Sequence, residues 1–565
     1  MKQVSQIETS ILQMASGDLT TPTPKYGGDE IGILSSELDK LRITLNDTLR
    51  QEQESRQANQ DLITAMSHDL RTPLTILNGY LEVLKLGKMP DMQDEYLDRC
   101  LQKTKDIKEL KVPVEGDYYI PRITFTTNSD QLAVMTLNRQ QNVFNMYYVN
   151  PKSGVSRLIL RDENKCYVDS EWLTSIHFNP SGFTYVSEQD GYSHIYLYSP
   201  TGVMQRQVTK GNWDVTRLIG YDDATKVVYY ESAEESPLRR SVYKIDQKGV
   251  KTKLSEGEGT NSADFSANYA YFVNNYSNAN TPAVITVNET KSKKVLRVLQ
   301  DNAALREKLA NTSFSKKEFF KVHTASDIEL NAWIVKPVDF DESKKYPVLM
   351  VQYSGPNSQQ VLDKYGFDWE HYLAANGIIV VSVDGRGTGA RGEAFRKCTY
   401  LRMGDLESRD QVEAAQALGK LPYVDAKRIA IWGWSFGGYN TLMSMSVGNG
   451  TFKAGIAVAP PTDWKYYDSV YTERFMRTPK ENFSGYAATS PIRLAKDLQG
   501  KLLLVHGTAD DNVHFQQTMD YAEALVQAGK QFDMQVYKDR NHSIYGGNTR
   551  YHLYTRMSNF LLDNL

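Results

Sequence analysis

The stretch Gly433-Trp434-Ser435-Phe436-Gly437 limits what this chain can fold into more than any other. A short apolar run, Arg428 to Trp432, leads into it, and a helix-compatible run, Tyr439 to Met445, leaves it. Strand, sharp turn and helix in that order hold a serine in a strained backbone conformation, with its hydroxyl exposed above the edge of a sheet. The flanking residues must be glycine, because a Cβ there would collide with the neighbouring strand and helix.

Two later segments supply the groups that would activate such a serine. Leu502-Leu503-Leu504-Val505-His506-Gly507 reads as a buried strand running into a loop, and Asp510 lies just past its end. Met534-Gln535-Val536-Tyr537 reads as another strand, followed by Asp539-Arg540-Asn541-His542. The chain order Ser435, Asp510, His542 is that of α/β-hydrolases rather than that of the chymotrypsin or subtilisin types. In this arrangement Ser435 attacks a carbonyl. His542 takes its proton and returns one to the leaving amine, and Asp510 orients and stabilises the imidazolium. The backbone N–H of Phe436, next after the nucleophile, is one donor to the oxyanion.

Three motifs, Gly433 to Tyr439, His506 to Phe515 and Tyr466 to Arg474, resemble the dipeptidyl peptidase IV branch of the prolyl oligopeptidase family, and the likeness runs from about Lys111 to the C-terminus. The resemblance implies a serine peptidase that hydrolyses peptides with proline or alanine at the second position. It implies the phenol of Tyr353, in Gln352-Tyr353-Ser354-Gly355-Pro356, as the second oxyanion donor. It implies a small aromatic pocket from Phe436, Trp464, Tyr467, Tyr471 and Val513, with Asn512 binding the substrate's backbone carbonyl. Phe436 stands where the family usually has tyrosine, and Pro461 where it has a branched aliphatic residue. The family holds the substrate's amino group with paired glutamates from the first half of its propeller, which has no counterpart here. Glu234-Glu235 is the nearest substitute, and its setting, Ser232 to Pro237, reads as a solvated loop between strands.

The expected fold is multidomain: an N-terminal α-helical hairpin or coiled coil, a partial β-propeller and a C-terminal α/β-hydrolase. Residues 111–310 carry four similar units of roughly 40 to 50 residues, as four-stranded propeller blades require. Their core strands, each ending in a turn, are Met146 to Pro151, Ile195 to Pro200, Val242 to Asp246 and Ala283 to Asn288. The resembling family has about twice as many blades, so open blade faces are expected to invite association. Residues 311–565 alternate strand and helix patterns, which predicts a parallel sheet covered on both faces.

The first 110 residues follow another pattern. Asp29-Glu30-Ile31-Gly32 precedes Leu34, Leu38, Leu41, Leu45 and Leu49, the seam of a long amphipathic helix. The helix reaches Met66-Ser67-His68-Asp69-Leu70-Arg71-Thr72-Pro73-Leu74-Thr75. This resembles the H-box of sensor histidine kinases, and the preceding Asp-Glu-Ile-Gly resembles the second half of a HAMP linker. Residues 1–50 are then HAMP-like and 51–110 a dimerisation and phosphoacceptor pair, with a second helix over 92–109. His68 would accept phosphate and Asp69 the ring proton. A homodimer and a response-regulator partner follow from that resemblance. Nothing after Lys111 supplies an Asn-bearing helix or glycine-rich lid for ATP, so self-phosphorylation is not expected. No Gly-, Ser- or Pro-rich linker separates the patterns near Leu110, which leaves an inactive fusion as an alternative.

A net charge of −3 on 565 residues points to no nucleic-acid partner. Cys100, Cys166 and Cys398 lie far apart and make neither a metal-ligand set nor a disulfide framework. No cofactor is expected. The chain shows neither a signal-peptide core nor an apolar run of membrane-spanning length, although a parent peptidase of this type would be exported and a parent kinase membrane-bound.

Overall fold

The computed structural model describes residues 112–565 and, before them, residues 6, 10, 21–24, 26–27, 32–33, 35–36, 38–40 and 42–43. The leucine seam apart from Leu38, the H-box with His68 and Asp69, and the helix expected over 92–109 lie outside the described residues. The chain divides into two compact units, Met1–Leu110 and Lys111–Leu565. In the first, Asp39 accepts from the Thr23 N–H at 3.0 Å and pairs with Arg42 at 2.8 Å.

The second unit opens with four antiparallel four-stranded sheets, over residues 118–163, 177–207, 215–253 and 260–300, each a meander in chain order. The third strand of each, Val143–Val149, His194–Tyr198, Ser241–Ile245 and Thr281–Glu289, carries the run predicted as a blade core. Alternation explains the stacking. Ala133, Met135 and Leu137 turn one way from their strand, join Phe144 and Met146, and meet Phe183, Tyr185 and Ile195 of the next sheet. Burying each Leu, Ile, Phe or Met side chain there stabilises by about 1.5–3 kcal/mol. The outer strands lack that cover. Tyr118, Ile120, Ile123 and Phe125 on the first strand, and Val295, Leu296, Val298 and Leu299 on the last, are exposed. These are the open faces expected of a partial propeller.

The remaining residues build an eight-stranded sheet. From edge to edge the strands are Lys317–His323, Glu329–Val335, Ile379–Asp384, Tyr346–Val351, Val424–Trp434, Ala454–Val458, Lys501–Gly507 and Asp533–Tyr537. The first three pair antiparallel and the rest parallel. Successive residues of the apolar runs serve opposite faces. Leu502 and Leu504 join one core and Leu503 and Val505 the other, as do Val348 and Met350 against Leu349 and Val351. Cover by helices on both sides is why these strands are apolar throughout.

Charged pairs tie the stacked sheets to this domain. Arg139 grips Glu473 with two bonds of 2.8 and 2.9 Å, a bidentate geometry that lysine could not reproduce. Lys397, 4% exposed, lies between Glu188 at 2.8 Å and Glu393 at 3.0 Å and donates to the Tyr167 carbonyl at 2.7 Å. Burial pulls the Lys397 ammonium below its ordinary value, so the two carboxylates are what keep the cation in place.

Glu407 yields a pH prediction. It is fully buried near the start of helix Asp405–Leu418 and accepts the Gly404 N–H at 2.8 Å. Burial pushes its carboxyl up to about 8, against the opposing pull of nearby backbone N–H groups. The unfolded chain ionises at the ordinary glutamate value while the folded chain keeps its proton, so this group costs stability as pH rises through that window. Glu407→Gln should therefore lose less stability than the parent chain between about pH 5 and pH 8, by a few kcal/mol. Denaturant midpoints at the two pH values measure it, and equal losses in both proteins would exclude Glu407 as the titrating group.

Candidate active site

Strand Val424–Trp434 ends one residue before Ser435, and helix Phe436–Val447 begins one residue after it. Ser435 has φ +59°, a conformation disfavoured for any residue with a Cβ. It is held there by backbone: its N–H donates to the Val458 carbonyl at 2.8 Å, and its carbonyl accepts from the Tyr439 N–H at 3.0 Å. A Cβ on Gly433 would sit 2.4 Å from Gly437 and 2.6 Å from the Gln352 carbonyl, and one on Gly437 would sit 2.5 Å from that carbonyl. Strand, helix and neighbouring loop close together only with glycine at both positions.

That loop carries Tyr353. Gln352 is buried and bolts the loop to the helix: its amide donates to the Gly437 carbonyl at 2.7 Å, and its oxygen accepts from Asn440 at 3.1 Å and Ser354 at 2.9 Å. Burial raises the Tyr353 phenol above its ordinary value, and a hydrogen bond with the Ser435 side chain pulls the other way.

Asp510 and His542 meet across two loops. His542 Nδ1 lies 2.7 Å from Asp510 Oδ2. The other carboxylate oxygen accepts from the N–H groups of Asn512 at 3.0 Å and Val513 at 2.9 Å. Burial of Asp510 would raise its pKa, but hydrogen bonds from His506, His542 and the Val513 N–H outweigh it and hold the carboxyl well below the usual range.

Aromatic rings gather beside the serine. Phe436 lies 6.0 Å from Tyr353 and 5.5 Å from Trp464; Tyr467 and Tyr471 lie 5.9 and 6.1 Å from Trp464. The Tyr467 hydroxyl donates to Asn512 Oδ1 at 2.7 Å, and Val513 is fully buried. Tyr353, Phe436, Trp464, Tyr467, Tyr471 and Asn512 thus form one connected group. Flat rings of this kind suit a small apolar side chain.

Glu234 and Glu235 differ from the solvated loop expected of them. Glu234 pairs with Lys251, and Glu235 pairs with Lys253 at 2.6 Å and accepts from the Tyr243 hydroxyl at 2.9 Å. Strand Lys251–Lys253 turns two alternate lysines the same way, which answers the carboxylates one for one. Gln352 and His506 were not picked out from the sequence. The hint for His506 was a lone imidazole at the end of an apolar strand, a polar group that burial obliges to find partners.

Comparison with known proteins gives the ancestry of these parts. Residues 365–565 match the model of the prolyl oligopeptidase family, and residues 97–283 that of the dipeptidyl peptidase IV N-terminal region. The C-terminal part of this chain is dipeptidyl peptidase IV-like. Residues 58–110 match the His Kinase A phospho-acceptor domain and residues 1–47 the HAMP domain, so a segment of that kind precedes the peptidase-like part. Dipeptidyl peptidase 4 of Felis catus is 38% identical over 473 residues, covering 79% of this chain and 61% of the relative. That of Sus scrofa is 36% identical with the same coverage. The crystal structure of Porphyromonas gingivalis dipeptidyl peptidase 4 superposes with a TM-score of 0.80 at 65% identity, covering 81% of this chain and 65% of that one. The chain thus spans 61% of the length of these two relatives. Among the described residues, no helix is long and apolar enough to cross a membrane, and no cluster of three His, Cys, Asp or Glu could hold a metal ion.

Proposed function

We propose that the chain is a serine peptidase of the dipeptidyl peptidase IV type, acting after proline or alanine through Ser435, His542 and Asp510. The observation that carries this reading is the 2.7 Å bond between His542 and a buried, low-pKa Asp510, in a domain where Ser435 occupies a positive-φ turn between strand and helix. Tyr353 and the Phe436 N–H are the proposed oxyanion donors; one such donor is worth about 2.7–4 kcal/mol of transition-state stabilisation. Phe436, Trp464, Tyr467, Tyr471 and Val513 are the proposed pocket for the second residue's side chain, with Asn512 on the substrate carbonyl. A fluorophosphonate that labels Ser435 tests the nucleophile, and release of chromophore from H-Gly-Pro and H-Gly-Ala substrates tests the specificity.

The reading also limits the activity. Among the described residues, four propeller-type sheets stand where the resemblance implies about eight, and Glu234 and Glu235 are occupied by lysines. Truncating one partner of a buried, hydrogen-bonded charge pair costs about 2–5 kcal/mol. Without such a pair, turnover of H-Gly-Pro substrates should be weak and the free amine should confer little advantage. The ratio of kcat/KM for the free and N-acetylated forms of one substrate should lie within about tenfold of unity, which is only about 1.4 kcal/mol. A large preference for the free amine would reveal a surviving anchor, with Glu234 and Glu235 the first to mutate.

A second reading concerns the N-terminal segment. Its matches to the HAMP and phospho-acceptor models favour a dimerising piece in which His68 accepts phosphate beside Asp69. Phosphate should pass to His68 from a separate kinase ATP-binding domain, should not appear with ATP alone, and should vanish in His68→Gln. Incorporation with ATP alone would point to a nucleotide site within this chain.

A further inference from the structure

His542 is not the sole imidazole on Asp510. His506, fully buried, places Nε2 3.1 Å from Asp510 Oδ2, the same oxygen that receives His542, and 2.9 Å from the Val513 carbonyl. Both partners of Nε2 are acceptors in the neutral pairing, so the hydrogen resides on Nε2. Nδ1 then accepts from the Thr518 hydroxyl, 2.7 Å away. The ring is wedged by the edge-on contact of Phe515, 5.6 Å between centroids. The titratable groups facing it are Asp510 and, across that carboxylate, His542.

We propose that His506 is a positioning residue for the triad: it holds Asp510 Oδ2 in line with His542 and takes up part of the carboxylate's charge. The inference rests on the proposed role of Asp510 and His542. Asp510 Oδ1 is tied down by two backbone N–H groups, so rotation of the carboxylate is governed by what holds Oδ2. His506 is a rigid, dry donor at that oxygen. The next residue, Gly507, reinforces the geometry: a Cβ there would fall 2.2 Å from the Arg540 carbonyl, so strand end and His542 loop are in close contact. Sharing Oδ2 between two imidazoles leaves less negative charge facing His542.

The test is the second-order rate of fluorophosphonate labelling as a function of pH. In that reaction Ser435 Oγ bonds phosphorus, fluoride leaves, and His542 takes the serine proton. Replacing His506 with leucine (H506L) should slow labelling about 10- to 100-fold, the scale expected for a misplaced catalytic group, and should move the acid limb to higher pH. H506Q, whose amide can still donate to Oδ2, should recover most of the rate. Thr518→Val keeps the ring but frees its outer nitrogen, and should give a smaller loss in the same direction should H506L not fold. Parental rates and an unmoved acid limb in the folded variants would overturn the proposal, as would equal losses in H506L and H506Q. Should the parent chain itself not label at Ser435, the reading of function fails instead. The far-downfield proton resonance of the His542–Asp510 bond then still reports on His506: it should shift in H506L, and an unchanged resonance would overturn the inference.

Discussion

Ser435→Ala is expected to abolish fluorophosphonate labelling and to lower any peptide turnover about a millionfold, the scale seen when a serine nucleophile is removed. The argument is local. The hydroxyl sits on a residue whose φ of +59° is imposed by strand, loop and helix together. A residual about 10³–10⁴ above the uncatalysed rate would come from oxyanion donors and substrate binding alone. The fold should survive, because the turn is fixed through the backbone N–H and carbonyl of residue 435 and through Gly433 and Gly437. Serine and alanine bear the same steric penalty at positive φ. Labelling mapped by peptide mass, together with an unchanged melting curve, checks both halves. A label that persists on another residue would displace Ser435 as the nucleophile.

The strand-ending residues were legible because the runs before them have a period that physics enforces. Leu502 to Val505 are apolar in sequence because successive side chains serve opposite cores, so the loop after them could be marked and Asp510 found on it. Helix Trp369–Ala375 lies in the region whose alternating strand and helix patterns were legible, and the Asp368 side chain caps it by accepting the Trp369 N–H at 2.8 Å. The segment from Ser469 to Leu494 was not legible, since its helices of eight, six and four residues are too short to show periodicity. They form through side-chain caps such as Asp468 on the Tyr471 N–H at 2.8 Å. Pairings between distant residues were equally hidden. Arg139 and Glu473 are 334 positions apart, and neither residue alone signals a partner. The bond of Gln352 to helix Phe436–Val447 and the second imidazole on Asp510 belong to the same class. They are demands of burial, visible only when the fold shows which polar groups have lost water.

Asp510→Asn should reduce labelling and turnover about 10⁴-fold while leaving Ser435 and Tyr353 in position, the loss expected when a triad imidazole is left in the wrong tautomer. Asp510 Oδ2 accepts from His542 Nδ1 at 2.7 Å and from His506 Nε2 at 3.1 Å. Oδ1 accepts from two backbone N–H groups, so an asparagine must keep its carbonyl there and turn its NH₂ toward the two imidazoles. His542 Nδ1 must then accept rather than donate, which moves its proton to Nε2, the nitrogen meant to receive the serine proton. The variant should also lose stability with a pH signature. The Asp510 carboxyl is held well below the usual range, so it contributes stability while ionised, above the ordinary aspartate value, and loses that contribution as the folded form becomes protonated on acidification. The stability gap between the parent chain and Asp510→Asn should therefore be full at neutral pH and shrink in acid. Denaturant midpoints at several pH values read the gap, and labelling rates at neutral pH read the chemistry. A variant that labels at the parental rate would remove Asp510 from the triad, and a gap that widens in acid would mean the carboxyl is not held ionised by its two histidines.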